Sequence, residues 1–168
     1  CGSGVLDALA LLLDAGLVDE TGRLEADQSA LGQRIREDAF HLTETVSLSQ
    51  RDIREIQLAK AAVRAGMEIL LQEAGLHSRD IRRPYLAGGF GSALRPRSAA
   101  RIGLIPAELE ERVRVLGNAA SFGALRHVTE KDAQAAAGEL IRQTRYIELS
   151  AHAAFSEKYV EQMIFPAV

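Results

Sequence analysis

Three glycines within four residues close the run Tyr85-Leu86-Ala87-Gly88-Gly89-Phe90-Gly91, directly after a short apolar stretch. Glycine has no Cβ, so it reaches positive φ at little cost and lets a ligand approach the main chain. The pattern fits a buried strand that turns sharply at its end and leaves room for a bound molecule. About 30 residues later the arrangement recurs. Arg112-Val113-Arg114-Val115-Leu116 alternates like a strand, breaks at Gly117-Asn118, and gives way to the small-residue run Ala119-Ala120-Ser121-Phe122-Gly123-Ala124. Two strand-to-glycine-to-helix junctions in one domain imply a shared crevice at the strand ends, where α/β folds bind ligands.

Two further groups bear on that crevice. Gly2-Ser3-Gly4 opens an apolar helix, so its backbone N–H groups could hold an anion, or form no more than a tight turn. It is not a dinucleotide fingerprint, because the third glycine would fall at Asp7 and no strand precedes it. Gln57 and Lys60 lie one turn apart on a long helix, with Lys60 inside its apolar stripe. A polar group on an inward stripe needs a partner. Lys60 either meets a ligand or runs its stem past the core to water. There is no Gly-x-x-x-x-Gly-Lys-Ser/Thr loop and no Gly-x-Ser-x-Gly elbow, which argues against a P-loop nucleotidase and an α/β-hydrolase. His41, His77, His127 and His152 are scattered without metal-ligand spacing, and no acid–base pair stands out, so no catalytic residue and no metal ligand is assigned.

The elements that must position these residues follow from periodicity and caps. Val5 to Ala15 is apolar nearly all round and reads as a buried helix stopped by Gly16. Asp19 to Ala30 reads as a mobile polar loop, and Ala39 to Leu48 as one or two short strands. Ser49 and Asp52 form a capping box. The helix they open runs to about Ala74, with an apolar stripe of Ile53, Ile56, Val63, Met67, Leu70 and Ala74 and with Gly75 as its stop. It is expected to pack beside the strand Arg83 to Ala87. Pro96 to Ile102 is a helix with proline in its first turn, and Glu108 to Arg112 is a helical turn. Glu130 to Thr144 and Ser156 to Met163 are helices, and Tyr146 to Leu149 is a third strand. Alternating helices and strands give an α/β class with helices packed on a mixed sheet.

Composition narrows the function. The chain has 168 residues, 47% apolar and 26% charged, with a net charge of −3, which fits one globular domain. No clustered basic run is present, which disfavours nucleic acid, and no apolar stretch reaches a membrane span. The single cysteine, Cys1, excludes an iron–sulfur site or disulfide framework held by this chain alone and fits a reducing cytoplasm. The start Cys-Gly-Ser-Gly, without methionine or leader, reads as a piece cut from a longer protein.

Taken together, the glycine-rich helix start, Gln57-x-x-Lys60, the strand ending in paired glycines and Gly-Asn-Ala-Ala-x-x-Gly-Ala resemble the C-terminal, ribonuclease H-like half of the ATPase superfamily of actin, sugar kinases and chaperone ATPases. Within it, Asp52 to Ala62, Ala87 to Gly91, Arg101 to Pro106, Gly117 to Ala120 and Tyr146 to His152 look like the ATPase domain of the reductive activators of corrinoid proteins. The resemblance implies ATP with Mg2+ as cofactor. Gly88, Gly89 and Phe90 would lie against adenosine and the α-phosphate, Gln57 and Lys60 at the ribose or base edge, Gly2, Ser3 and Gly4 on the phosphate side, and Gly117 and Asn118 at a subdomain hinge. It implies an upstream iron–sulfur domain, Mg2+ ligands in the upstream half, reduction of cob(II)alamin to cob(I)alamin, a corrinoid protein or corrinoid-dependent methyltransferase as partner, and a possible homodimer. Arg95 stands where the family often has a capping Asn or Asp. The alternatives are a superfamily kinase, an activator of another enzyme, or a nucleotide-free docking and dimerisation module of the same fold.

Overall fold

The structure is a computed structural model, and residues 2–167 are described here. The first helix, α1 (Gly2–Asp14), buries Leu6, Leu9, Ala10, Leu12 and Leu13, leaves Leu11 outside, and ends at Gly16 in the left-handed conformation. A three-stranded antiparallel sheet follows, ordered β1 (Ile35–Arg36), β2 (Ala39–His41) and β3 (Ser47–Ser49). The loop before it is not loose. Gln50 accepts from the N–H of Leu24 at 2.8 Å and donates to the carbonyl of Gly22 at 2.6 Å, while Arg54 donates to the carbonyl of Thr21 at 2.6 Å.

The long helix α2 (Gln50–Glu73) starts at the expected capping box. The Asp52 N–H donates to the Ser49 hydroxyl oxygen at 3.2 Å, and the Ser49 N–H donates to the Asp52 carboxylate at 2.8 Å. Its buried face differs from the apolar stripe read in the sequence. Ile53, Gln57, Lys60, Ala61, Ala65 and Ile69 are buried, whereas Val63 and Leu70 are about half exposed, at 49% and 51%. The helix is rotated because its small residues, Ala61, Ala65 and Gly66, admit close packing. α2 packs most extensively on α7 (Phe155–Glu161), not beside the glycine-ended strand as expected.

That strand, β4 (Tyr85–Ala87), pairs in parallel with β5 (Arg114–Gly117), and these two form a sheet separate from the first. Between them run α3 (Gly88–Gly91), α4 (Pro96–Arg101) and a 3-10 turn at Ala107–Arg112. α4 packs on α1, where the Ser98 hydroxyl donates to Asp7 at 2.6 Å, and Arg95 and Arg101 pair with Asp7 and Asp14 at 3.4 and 2.5 Å. Arg95 therefore supplies no cap to α4 and instead braces α1. One core joins α1, β2, β3, Ile53, α4 and Phe165, with Leu86 of β4 packed against it.

After β5 come α5 (Ala119–Thr129) and α6 (Ala133–Gln143), neither with a buried residue. The expected strand Tyr146 to Leu149 is absent. Tyr146 is 80% exposed, and Leu149–Ala151 forms a 3-10 turn. Glu148 causes this by accepting from the Ser150 N–H and hydroxyl at 3.2 and 2.5 Å, a local side-chain bond that competes with extended pairing.

Candidate functional site

Register brings the two glycine junctions together. Ala87 lies opposite Gly117, and the turns that leave β4 and β5 pass through Gly88 at φ +96° and Gly117 at φ +69°. Both values lie in the region that residues with a Cβ rarely adopt. A Cβ on Gly88 or Gly89 would meet no atom within 4 Å, so the space in front of them is open. Asn118 caps α5 by accepting from the Ser121 N–H at 3.2 Å. The two glycine junctions thus lie side by side at the ends of two adjacent parallel strands.

Phe90 carries the site toward α1. A Cβ on Gly2 would stand 2.7 Å from the Phe90 ring, so glycine at that position lets the ring lie against the first turn of α1. Ser3 and Gly4 belong to that same turn. Beside Phe90 is a cavity of about 170 Å3, closed by Leu6 of α1, by Ile56, Ala59, Lys60 and Val63 of α2, and by Ile102 and Leu104. Phe90 and Lys60 therefore line one space, and Gly2 meets the Phe90 ring from α1. A larger groove of about 450 Å3 lies farther along α2, between Met67, Leu71, Leu76 and Pro106. It contains none of the strand-end glycines, and its cations Arg64 and Lys158 both pair with Glu68, at 3.1 and 3.5 Å.

The polar ends of Gln57 and Lys60 point elsewhere. Gln57 Nε2 donates to the carbonyls of Thr21 and Met163 at 3.0 and 3.1 Å, and its Oε1 accepts from Arg54 at 2.8 Å. Lys60, only 2% exposed, donates from Nζ to the Ile164 carbonyl at 2.6 Å and stands 5.0 Å from the centroid of the Phe165 ring. Burial, with a smaller effect from the Arg64 charge, lowers its pKa to about 8. Arg101 donates to the Pro166 carbonyl at 2.9 Å, and the Phe165 N–H donates to Glu20 at 2.8 Å. The left-handed glycines Gly22 and Gly103 make room for this node. A Cβ on Gly22 would lie 2.4 Å from the Gln57 amide, and one on Gly103 would lie 3.1 Å from Pro166.

Sequence reasoning missed residues 163–166 and Arg101. The available signal was the phase of α2, in which Gln57 and Lys60 fall in register with Ile53 and need buried acceptors. Among the described residues no cluster of His, Cys, Asp or Glu could hold a metal ion, and no helix is long and apolar enough to cross a membrane.

The fold is that of an ASKHA domain, the actin-like ATPase class, within which the two parallel strands end side by side in left-handed glycines. The family described as the C-terminal domain of RACo, the ASKHA domain, matches residues 1–168, and the chain belongs to it. The corrinoid activation enzyme RamQ of Eubacterium limosum is 30% identical over 98% of this chain and 31% of its own length. The [Co(II) methylated amine-specific corrinoid protein] reductase of Methanosarcina barkeri is 28% identical over 77% of this chain and 22% of its own. A solved structure of a reductive activator for corrinoid, iron-sulfur protein superposes with a TM-score of 0.88 at 32% identity, covering 99% of this chain and 28% of that one. The chain thus spans less than a third of the length of each of these relatives.

Proposed function

We propose that this chain is the C-terminal, nucleotide-binding portion of an ATP-dependent activator. In the whole protein, one electron would pass from an iron–sulfur cluster held outside these residues to cob(II)alamin, giving cob(I)alamin on a corrinoid protein or corrinoid-dependent methyltransferase in the cytoplasm. The observation that carries the reading is the open space before the adjacent left-handed glycines Gly88 and Gly117, in a chain that belongs along its whole length to an ATPase-type domain family. The names of the relatives supply the corrinoid.

The residues fit adenosine through backbone and apolar contact. Gly88 and Gly89 offer main chain with open space in front of it, and Phe90, 52% exposed, offers an aromatic ring. Gly2 lies against the Phe90 ring, and Ser3 and Gly4 follow it in the first turn of α1. Lys60 contributes its stem to the wall of the cavity beside Phe90, while its ammonium and the Gln57 amide are engaged by residues 163–164. Gly117 and Asn118 serve as the hinge. Ligands for Mg2+ and for the β- and γ-phosphates would come from outside these residues. Calorimetric titration of the whole protein with Mg-ATP tests the reading, followed by the cob(II)alamin absorbance with and without nucleotide. Loss of cob(II)alamin that does not depend on ATP would overturn it.

One observation favours a second role in addition. Phe122, Leu125 and Val128 of α5 and Leu140 and Ile141 of α6 are all exposed. We read this face as covered by the rest of a longer polypeptide, with a homodimer as the rival. Sedimentation of the whole protein separates the two.

A further inference from the structure

Residues Met163–Pro166 form a strap laid across α2 and α4. Three side chains, Gln57, Lys60 and Arg101, donate to three of its four carbonyls, those of Met163, Ile164 and Pro166, at 3.1, 2.6 and 2.9 Å. Phe165 is 1% exposed and anchors it in the core. The strap also touches the cavity beside Phe90. Lys60 lines that cavity with its stem while its ammonium holds Ile164. Ile102 and Leu104 line it too, and Gly103 between them lies against Pro166, with room for no Cβ at ordinary contact distance. A body filling the cavity therefore presses on residues whose other sides are fixed by the strap.

We infer that Gln57, Lys60 and Arg101 are positioning residues: by seating the strap they brace one wall of the cavity beside Phe90, so that occupancy of the cavity and seating of the strap are coupled. The inference rests on the nucleotide reading above for its ligand, Mg-ATP. Coupling follows from packing. A wall already ordered by the strap costs the ligand less to order, and linkage makes the effect reciprocal. Among the described residues Lys60 pairs with no carboxylate, and the neighbouring Arg64 and Arg101 are matched by Glu68 and Asp14.

Hydrogen exchange of residues 163–167 in the whole protein, with and without Mg-ATP, tests this. Saturating Mg-ATP is expected to slow exchange of the strap at least about fivefold, the lower end of ordinary couplings. Lys60→Met should speed that exchange without nucleotide and weaken Mg-ATP binding by about the same factor. Ile69→Ala, a core change on α2 outside the cavity lining, should lower stability and leave affinity unchanged. If Lys60→Met does not fold, Arg101→Gln serves in its place. Mg-ATP binding with strap exchange unchanged overturns this inference and leaves the nucleotide reading intact. A whole protein that binds no Mg-ATP overturns both. Equal affinity losses in Ile69→Ala and the strap variants reduce the strap to ordinary core and overturn the inference as well.

Discussion

Lys60 and Ile164 lie 104 positions apart, yet the ammonium of one donates to the carbonyl of the other at 2.6 Å in the interior of the protein. A buried amine with a carbonyl and the Phe165 ring for company, and no carboxylate, is costly when charged. Its lowered pKa, about 8, expresses that cost.

Stability should therefore rise with pH in a defined window. The unfolded amine keeps its proton up to the ordinary lysine value of 10.5, while the folded one releases it near 8. Between those values the unfolded state binds more protons, so alkali favours folding. Urea titrations at pH 7.5 and 10 should show the wild type gaining about 2 kcal/mol relative to Lys60→Met. A constant difference between the two proteins across the window would show that Lys60 does not titrate there.

Gly88 and Gly89 separate strain from ligand contact. Gly88→Val should destabilise by about 1–3 kcal/mol because of the left-handed backbone. Gly89 has ordinary φ and open space before it, so Gly89→Ala should melt at or slightly above the wild-type temperature. It should nevertheless weaken Mg-ATP binding at least about tenfold, or ~1.4 kcal/mol, if adenosine or its phosphate lies there. Unchanged affinity in this variant would remove the strand end from the site.

Phe165→Ala should cost about 3–5 kcal/mol, as for other buried aromatic truncations, and should expose Lys60 to amine-reactive reagents. Chemical denaturation and mass spectrometry of labelled peptides report the two effects. A loss below about 1 kcal/mol would place Phe165 outside the cooperative core.

The cap of α2 gives an acid-side test. The Ser49 hydroxyl, and then the Ser49 N–H, hold the Asp52 carboxyl below its usual pKa. A depressed carboxylate stabilises above its unfolded value, and that contribution disappears as pH falls through the folded one. Ser49→Ala should cost about 1 kcal/mol near neutrality and should flatten this part of the acid limb. Thermal melts at pH 7 and pH 3 would reveal it.

The glycine junctions, the capping box and α1 were legible in the sequence because each rests on local chemistry: a backbone angle, a side chain reaching three residues along, an unbroken apolar turn. The node around Gln57 and Lys60 was only half legible. Their phase on α2 demanded acceptors, but the acceptors are backbone carbonyls of a distant segment, and a carbonyl has no signature in the sequence. The face of α2 was misjudged because Val63 and Leu70 are more apolar than the alanines that are buried. The strand expected at Tyr146 failed on Glu148, whose bond to Ser150 is as local as any cap and outweighed alternation.

The long span of the bond from Lys60 to Ile164 also bears on time. Closing a loop of that size is slow compared with forming α2 or the β2–β3 pairing, and contacts so far apart lower folding rates. During synthesis, Gln57 and Lys60 emerge from the ribosome long before Met163 and Ile164 exist. Until then the Lys60 ammonium lacks its acceptor, while Gln57 already has Thr21 and Arg54. The core of this domain is therefore completed last, by residues made roughly a hundred positions after the helix they lock.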